Sequence, residues 1–139
     1  MAMPFGDADL DEAYGAFKEG AKLAGFELGR LDEDAPAGLI DDRLRVDVRR
    51  ARFLVADLTR ENPGAYWEAG FAEGLGRPVV YTCRRDVFDD PGTHFDTNHH
   101  LTILWSSDDL EAAARDLAAT IRATLPDEAV MEDPEPARE

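Results

Sequence analysis

Short apolar runs alternate with amphipathic stretches along nearly the whole chain, and this alternation constrains the fold more than any other feature. Leu10, Tyr14, Phe17 and Ala21 recur every three or four residues, one apolar stripe on a helix over Asp9–Ala24 that stops at Gly25. Phe26–Leu31 reads as a short strand. Gly38–Arg50 is a second amphipathic helix, with Ile40, Leu44 and Val48 inward and a solvated face of Arg43, Arg45, Arg49 and Arg50. Ala51–Asp57 is an apolar run ending in an acid, the pattern of a buried parallel strand whose C-terminal end opens into a site. Asn62 and Pro63 then suit the N-cap and first position of a helix running to Leu75, with Gly76 as its end. Pro78–Cys83 and Leu101–Trp105 are further strands, separated by a polar loop, Arg84–His100. Asp108–Leu125 closes the series as a helix with Leu110, Ala113, Leu117, Ile121 and Leu125 on one face.

Strands that alternate with helices build a parallel sheet covered on both sides. The expected fold is therefore α/β: one doubly wound, flavodoxin-like or Rossmann-like domain over residues 1–125, with a five-stranded parallel sheet and helices on both faces. Its first strand has only Met1–Phe5, against about five or six strongly apolar residues in a usual central strand. That strand is expected either to begin upstream or to be stunted. Residues 126–139 hold three prolines, six acids and one arginine with almost nothing to bury, and are expected to form an acidic disordered tail.

The 139 residues suit one domain. Thirty acids against fifteen Lys and Arg give a charge of −15, of which the tail carries −5. That sign disfavours a nucleic-acid polymer and an anionic membrane surface, because both need a basic face. No apolar run approaches the ~20 residues of a membrane span, no leader is visible, and the single cysteine, Cys83, makes no internal disulfide. The expectation is a soluble, cytoplasmic protein.

The most informative segment is Ala56–Val80, ADLTRENPGAYWEAGFAEGLGRPVV. It contains a strand end, Ala56-Asp57-Leu58-Thr59, then Asn62-Pro63-Gly64-Ala65-Tyr66-Trp67-Glu68-Ala69-Gly70, then Gly76-Arg77-Pro78-Val79. This succession resembles the nucleoside 2-deoxyribosyltransferase-like superfamily, which includes deoxynucleoside-monophosphate N-glycosidases and TIR-like domains. Shorter matches extend the resemblance over about residues 3–125: Met3-Pro4-Phe5-Gly6, Asp32-Glu33, Asp41-Asp42 and His94-Phe95-Asp96. The sequence departs from the family's pattern at Gly64, where an Asn is usual, at Ala69, where a Leu is usual, and in the short first strand.

The resemblance implies N-glycosidic chemistry on a nucleoside, a deoxynucleotide or NAD, with Glu68 as the nucleophile at the anomeric carbon. A carboxylate attacking there divides one hard displacement into two easier ones through a glycosyl-enzyme intermediate. Glu68 lies five residues beyond Pro63, ~7.5 Å up the helix at ~1.5 Å per residue, where the helix N-terminus favours its ionised form. The resemblance also implies an acid in the second helix that contacts the sugar or protonates the departing base; Asp42 is the nearest candidate and Asp41 the next. Substrate-binding candidates are Phe5, Gly6, Asp57, Asn62, Gly64 and Tyr66. Asp57 either orients the site or accepts backbone N–H groups of the following turn. Phe5 either stacks on a base or joins the core, and Gly6 lets the backbone approach a ligand. Glycines at 64 and 70, inside a helix, suggest a close approach to its surface.

Other features read as structural. His94, His99, His100 and Asp96 share one loop without a metal-binding spacing, so no metal is expected. Cys83 reads as a buried thiol. The carboxylate chemistry requires no cofactor. The expected partner is a small nucleoside or nucleotide, and homo-oligomerisation is implied by the resemblance. The competing reading is a non-catalytic TIR-like module that senses a nucleotide, and a scaffold without activity is a third.

Overall fold

The structure, a computed structural model, describes residues 1–3, 6–31, 40–60, 63–89 and 102–136, with the side chains of residues 40 and 41 left aside. The elements run α1 (Ala8–Leu23), α2 (Ile40–Arg50), β1 (Leu54–Asp57), α3 (Pro63–Gly74), β2 (Val79–Arg84), α4 (Arg85–Phe88), β3 (Thr102–Trp105) and α5 (Leu110–Thr124). β1, β2 and β3 form a parallel sheet in that order, with Leu54 opposite Val79 and Arg84 opposite Trp105.

Side chains alternate across this sheet, as the two-residue strand period dictates. Val55, Val80, Ile103 and Trp105 join α1 and α5 in one core. Leu54, Ala56, Tyr81 and Cys83 join α2 and α3 in the other. The sheet is thus covered on both faces, as the alternation predicts. On the first face α1 and α5 lie close together: a Cβ on Gly20 would stand 2.3 Å from the carbonyl oxygen of Ala114. On the second face Ala65, Ala69 and Ala72 are the buried stripe of α3, small enough to bring the helix down onto the strands.

β1 is shorter than the apolar run that predicts it. Leu54 N donates to Pro78 O at 2.9 Å, and Pro78, having no N–H, offers the ladder no donor in return, so pairing begins at Leu54. Of the five strands expected, three form the sheet among the described residues, and two further segments lie beside it. Ala2 makes a single parallel bridge to Ala56: its N–H donates to Val55 O at 2.8 Å and its carbonyl accepts from Asp57 N at 3.0 Å. Residues 26–31 lie beside Met1, whose carbonyl accepts from Leu31 N at 3.4 Å and whose ammonium donates to Gly29 O. No strand is assigned to them, because one residue's worth of pairing does not make a ladder.

Two stretches behave differently from their composition. The polar loop expected from Arg84 holds one helical turn, α4, whose Val87 and Phe88 pack on the α2–α3 core. In the segment expected as a disordered tail, Val130 N donates to Ala24 O at 2.8 Å, Arg122 holds Asp133 at 2.8 Å, and Ala129 packs on the α1–α5 core. Among the described residues, no helix is long and apolar enough to cross a membrane.

Candidate functional site

β1, β2 and β3 end at one edge, because parallel strands share their C-terminal ends, and Asp57 stands there. Asp57 closes β1 with no exposed surface. Its Oδ1 accepts from Thr59 N at 2.9 Å, and its Oδ2 accepts from Thr82 Oγ1 at 2.7 Å and Trp105 Nε1 at 2.8 Å. One carboxylate therefore joins the ends of β1, β2 and β3. Burial pushes its proton affinity above the ordinary carboxylate range, and the bonds from Thr59, Thr82 and Trp105 oppose that rise. Of the two roles expected for Asp57, the bond from the following turn is the one the geometry displays. Its side chain points to the α1–α5 face, away from α3.

Thr59 extends the lattice, since its Oγ1 accepts from Arg84 N at 3.0 Å. Beyond it the edge is ionic. Asp7 caps α1, with Oδ1 accepting from Asp9 N at 3.1 Å and Leu10 N at 3.2 Å. The other oxygen of Asp7 accepts from Arg60 Nε at 2.7 Å and also from Arg60 Nη2, and this guanidinium holds the Asp7 carboxyl below the usual carboxylate range. Arg84 donates to Asp86 at 2.6 Å and lies 3.4 Å from Asp9. Gly6, just before the cap, is exposed and has φ +76°, a left-handed conformation that glycine adopts without strain, so the turn at this position requires it.

α3 starts at this same edge. Glu68 is half-buried in its second turn, next to the buried Ala65–Ala69–Ala72 stripe and on the flank of Phe71. α2 packs on that flank: the Arg45 guanidinium lies 5.8 Å from the Trp67 ring centre, and that of Arg49 lies 5.8 Å from the Phe71 ring centre. Trp67 and Phe71 themselves stack at 5.5 Å. Both contacts advance by four residues on each helix, so α2 and α3 run in the same direction. Asp42, one turn before Arg45, therefore stands near the level of Gly64, toward the start of α3. Its carboxylate is exposed and pairs with Arg45 at 3.1 Å.

The structure thus brings Asp42, Gly64 and Glu68 to neighbouring helix starts, and Gly6 and Asp57 to the same sheet edge on the other face. Tyr66 is half-buried and packs on the α2–α3 core. Gly70 has open space where a Cβ would stand, so no close approach explains that glycine. Phe5, Asn62 and the side chain of Asp41 lie outside the described residues, as do Asp32-Glu33 and the loop with His94, Asp96, His99 and His100. Among the described residues, no group of three potential metal ligands is placed to hold an ion. Cys83 is fully buried, and burial together with the Asp57 charge pushes its thiol up to about 12. Arg43, Arg49 and Arg50 are exposed and Arg45 is half-exposed, as a solvated face requires, and Arg45 and Arg49 lie over aromatic rings on it.

Sequence reasoning missed the Asp7–Arg60 pair and the partners of Asp57. An Asp just ahead of an amphipathic stripe is a signal for an N-cap, so half of the first was legible. Thr82 and Trp105 carry no local signal, because they reach Asp57 only through strand pairing. No family model matches the sequence, and no curated protein and no solved structure matches it either.

Proposed function

We propose that this chain cleaves or exchanges the N-glycosidic bond of a nucleoside-like small molecule, with Glu68 as the nucleophile. The observation that carries the reading is the position of Glu68: half-buried, in the second turn of a helix that begins where parallel strands end, with the Asp42 helix alongside. The likeness of the segment around it to nucleoside 2-deoxyribosyltransferases is a second support. A finer fold goes with this reading. Residues 26–31 and Met1–Met3 complete a five-stranded sheet, with residues 26–31 outermost, then Met1–Met3, β1, β2 and β3, the doubly wound order whose switch point falls between Met1–Met3 and β1.

In this reading a bond forms between a Glu68 oxygen and C1′ as the bond from C1′ to the base nitrogen breaks. The base leaves with the electron pair and takes a proton from an acid, the role assigned to Asp42. Water or a second base then attacks C1′, releases Glu68 and gives net retention. Asp57 acts as a positioning residue that fixes the strand ends beneath the site. The chemistry uses no cofactor, and a homo-oligomer that completes its pockets across subunits belongs to the same proposal.

The test is incubation with 2′-deoxynucleosides, their monophosphates and NAD, followed by chromatography for free base. Base release by the wild type, lost by a factor of at least ~10² in Glu68→Gln with ligand binding retained, is the expected outcome. Undiminished turnover in Glu68→Gln would refute the assignment. Ligand binding without base release would favour the non-catalytic sensing module.

A further inference from the structure

We infer that the site accepts an uncharged nucleoside and rejects its 5′-phosphate, and that Asp7 sets this preference; the inference rests on the nucleoside reading of the site and narrows its substrate class.

A phosphate in a doubly wound fold is held by two kinds of group, the amides at a helix N-terminus and an arginine or lysine nearby. Both kinds are present at the start of α1, and both are already occupied there by one internal carboxylate. Asp7 Oδ1 takes the N–H groups of Asp9 and Leu10, and Asp7 Oδ2 takes Nε and Nη2 of Arg60. A phosphate arriving there meets a resident anion on its own donors.

Arg84 and Arg30, two further cations at the strand ends, are committed in the same way. Arg84 is bonded to Asp86 and lies near Asp9. Arg30 is 3.2 Å from Asp11. Arg85 borders a cleft at the β2–β3 edge together with Asp86, Asp89 and Asp108, so acids outnumber bases on that rim as well. Residues 4–5, 32–39, 61–62 and 90–101 contain no Lys or Arg, and residues 32–34 are all acidic; the last three residues add one arginine, Arg138. A dianionic phosphate at the start of α1 would need the Asp7–Arg60 pair broken, in a protein whose net charge already opposes it. An uncharged nucleoside meets no such opposition.

The experiment compares binding, by calorimetry, of 2′-deoxynucleosides, the matching 5′-monophosphates and inorganic phosphate to the wild type and to Asp7→Asn. Asn keeps the cap acceptor while removing the charge, and Asp7→Ser, a second good cap, serves if Asn fails to fold. The wild type should bind a nucleoside about tenfold or more tighter than its monophosphate and should not bind inorganic phosphate. The substitution should narrow the gap by about tenfold. Equal or tighter binding of the monophosphate by the wild type would overturn the inference. So would an unchanged gap in both variants, or binding of neither ligand. Selective binding of the nucleoside without release of base would uphold it while removing the catalytic reading.

Discussion

At the scale of single residues, a carboxylate with no exposed surface holds three strand ends together, and its value lies in the donors it satisfies. Thr59 N, Thr82 Oγ1 and Trp105 Nε1 all point at Asp57, and the loss of a buried acceptor leaves donors unmet at about 1–3 kcal/mol each. Asp57→Asn turns an amide donor toward one of them and should cost about 1–3 kcal/mol in urea unfolding. The cost should depend on pH. Because the folded-state affinity of Asp57 for its proton is raised, the native protein binds that proton where the unfolded chain has released it. The Asp57 contribution is therefore fully present below the unfolded value of about 4 and is lost as pH rises through the higher native value. The deficit of Asp57→Asn should thus narrow as pH rises across that window. A deficit that widens would mean that the bonds to the ionised form outweigh burial. The acid at the end of a strand is visible in the sequence, but its partners are 25 and 48 residues away, and only the register of the sheet brings them in.

At the scale of elements, periodicity located α1, α2 and α5, because an apolar stripe is written directly into the spacing of residues such as Leu10, Tyr14 and Phe17, and α3 is marked by its Asn62-Pro63 start. What periodicity did not contain is how closely two helices approach. Gly20 faces the Ala114 backbone, and a Cβ there would meet the Ala114 oxygen at 2.3 Å. Gly20→Ala gains about 1 kcal/mol of helix propensity but forces α1 and α5 apart, an overpacking that costs about 1–3 kcal/mol. A net fall in the urea midpoint is expected; a rise would show that the two helices yield without loss. The pairing of Arg45 with Trp67 and Arg49 with Phe71 is a similar case. Each helix shows a four-residue step in its sequence, but the match between the two steps exists only after α2 and α3 dock. α4 escaped notice because one turn is too short to display a period.

At the scale of the whole molecule, the covered parallel sheet follows from the order of strand and helix, and Ala2 joins its side by a single bridge to Ala56. The charge of −15 has also acquired a local form. Asp7, Asp9, Asp11 and Asp86 sit against the arginines of the strand-end rim, which argues for a neutral ligand there. Glu68 lies on the α2 side of α3, and the central claim is that it becomes covalently bonded to the sugar. Acid-quenching the wild-type protein during incubation with a 2′-deoxynucleoside and mapping its peptides by mass spectrometry tests this directly. One added deoxyribosyl group on the peptide containing Glu68, absent from Glu68→Gln, is the result predicted. Base release accompanied by an adduct on a different residue, or sustained in Glu68→Gln, would contradict it.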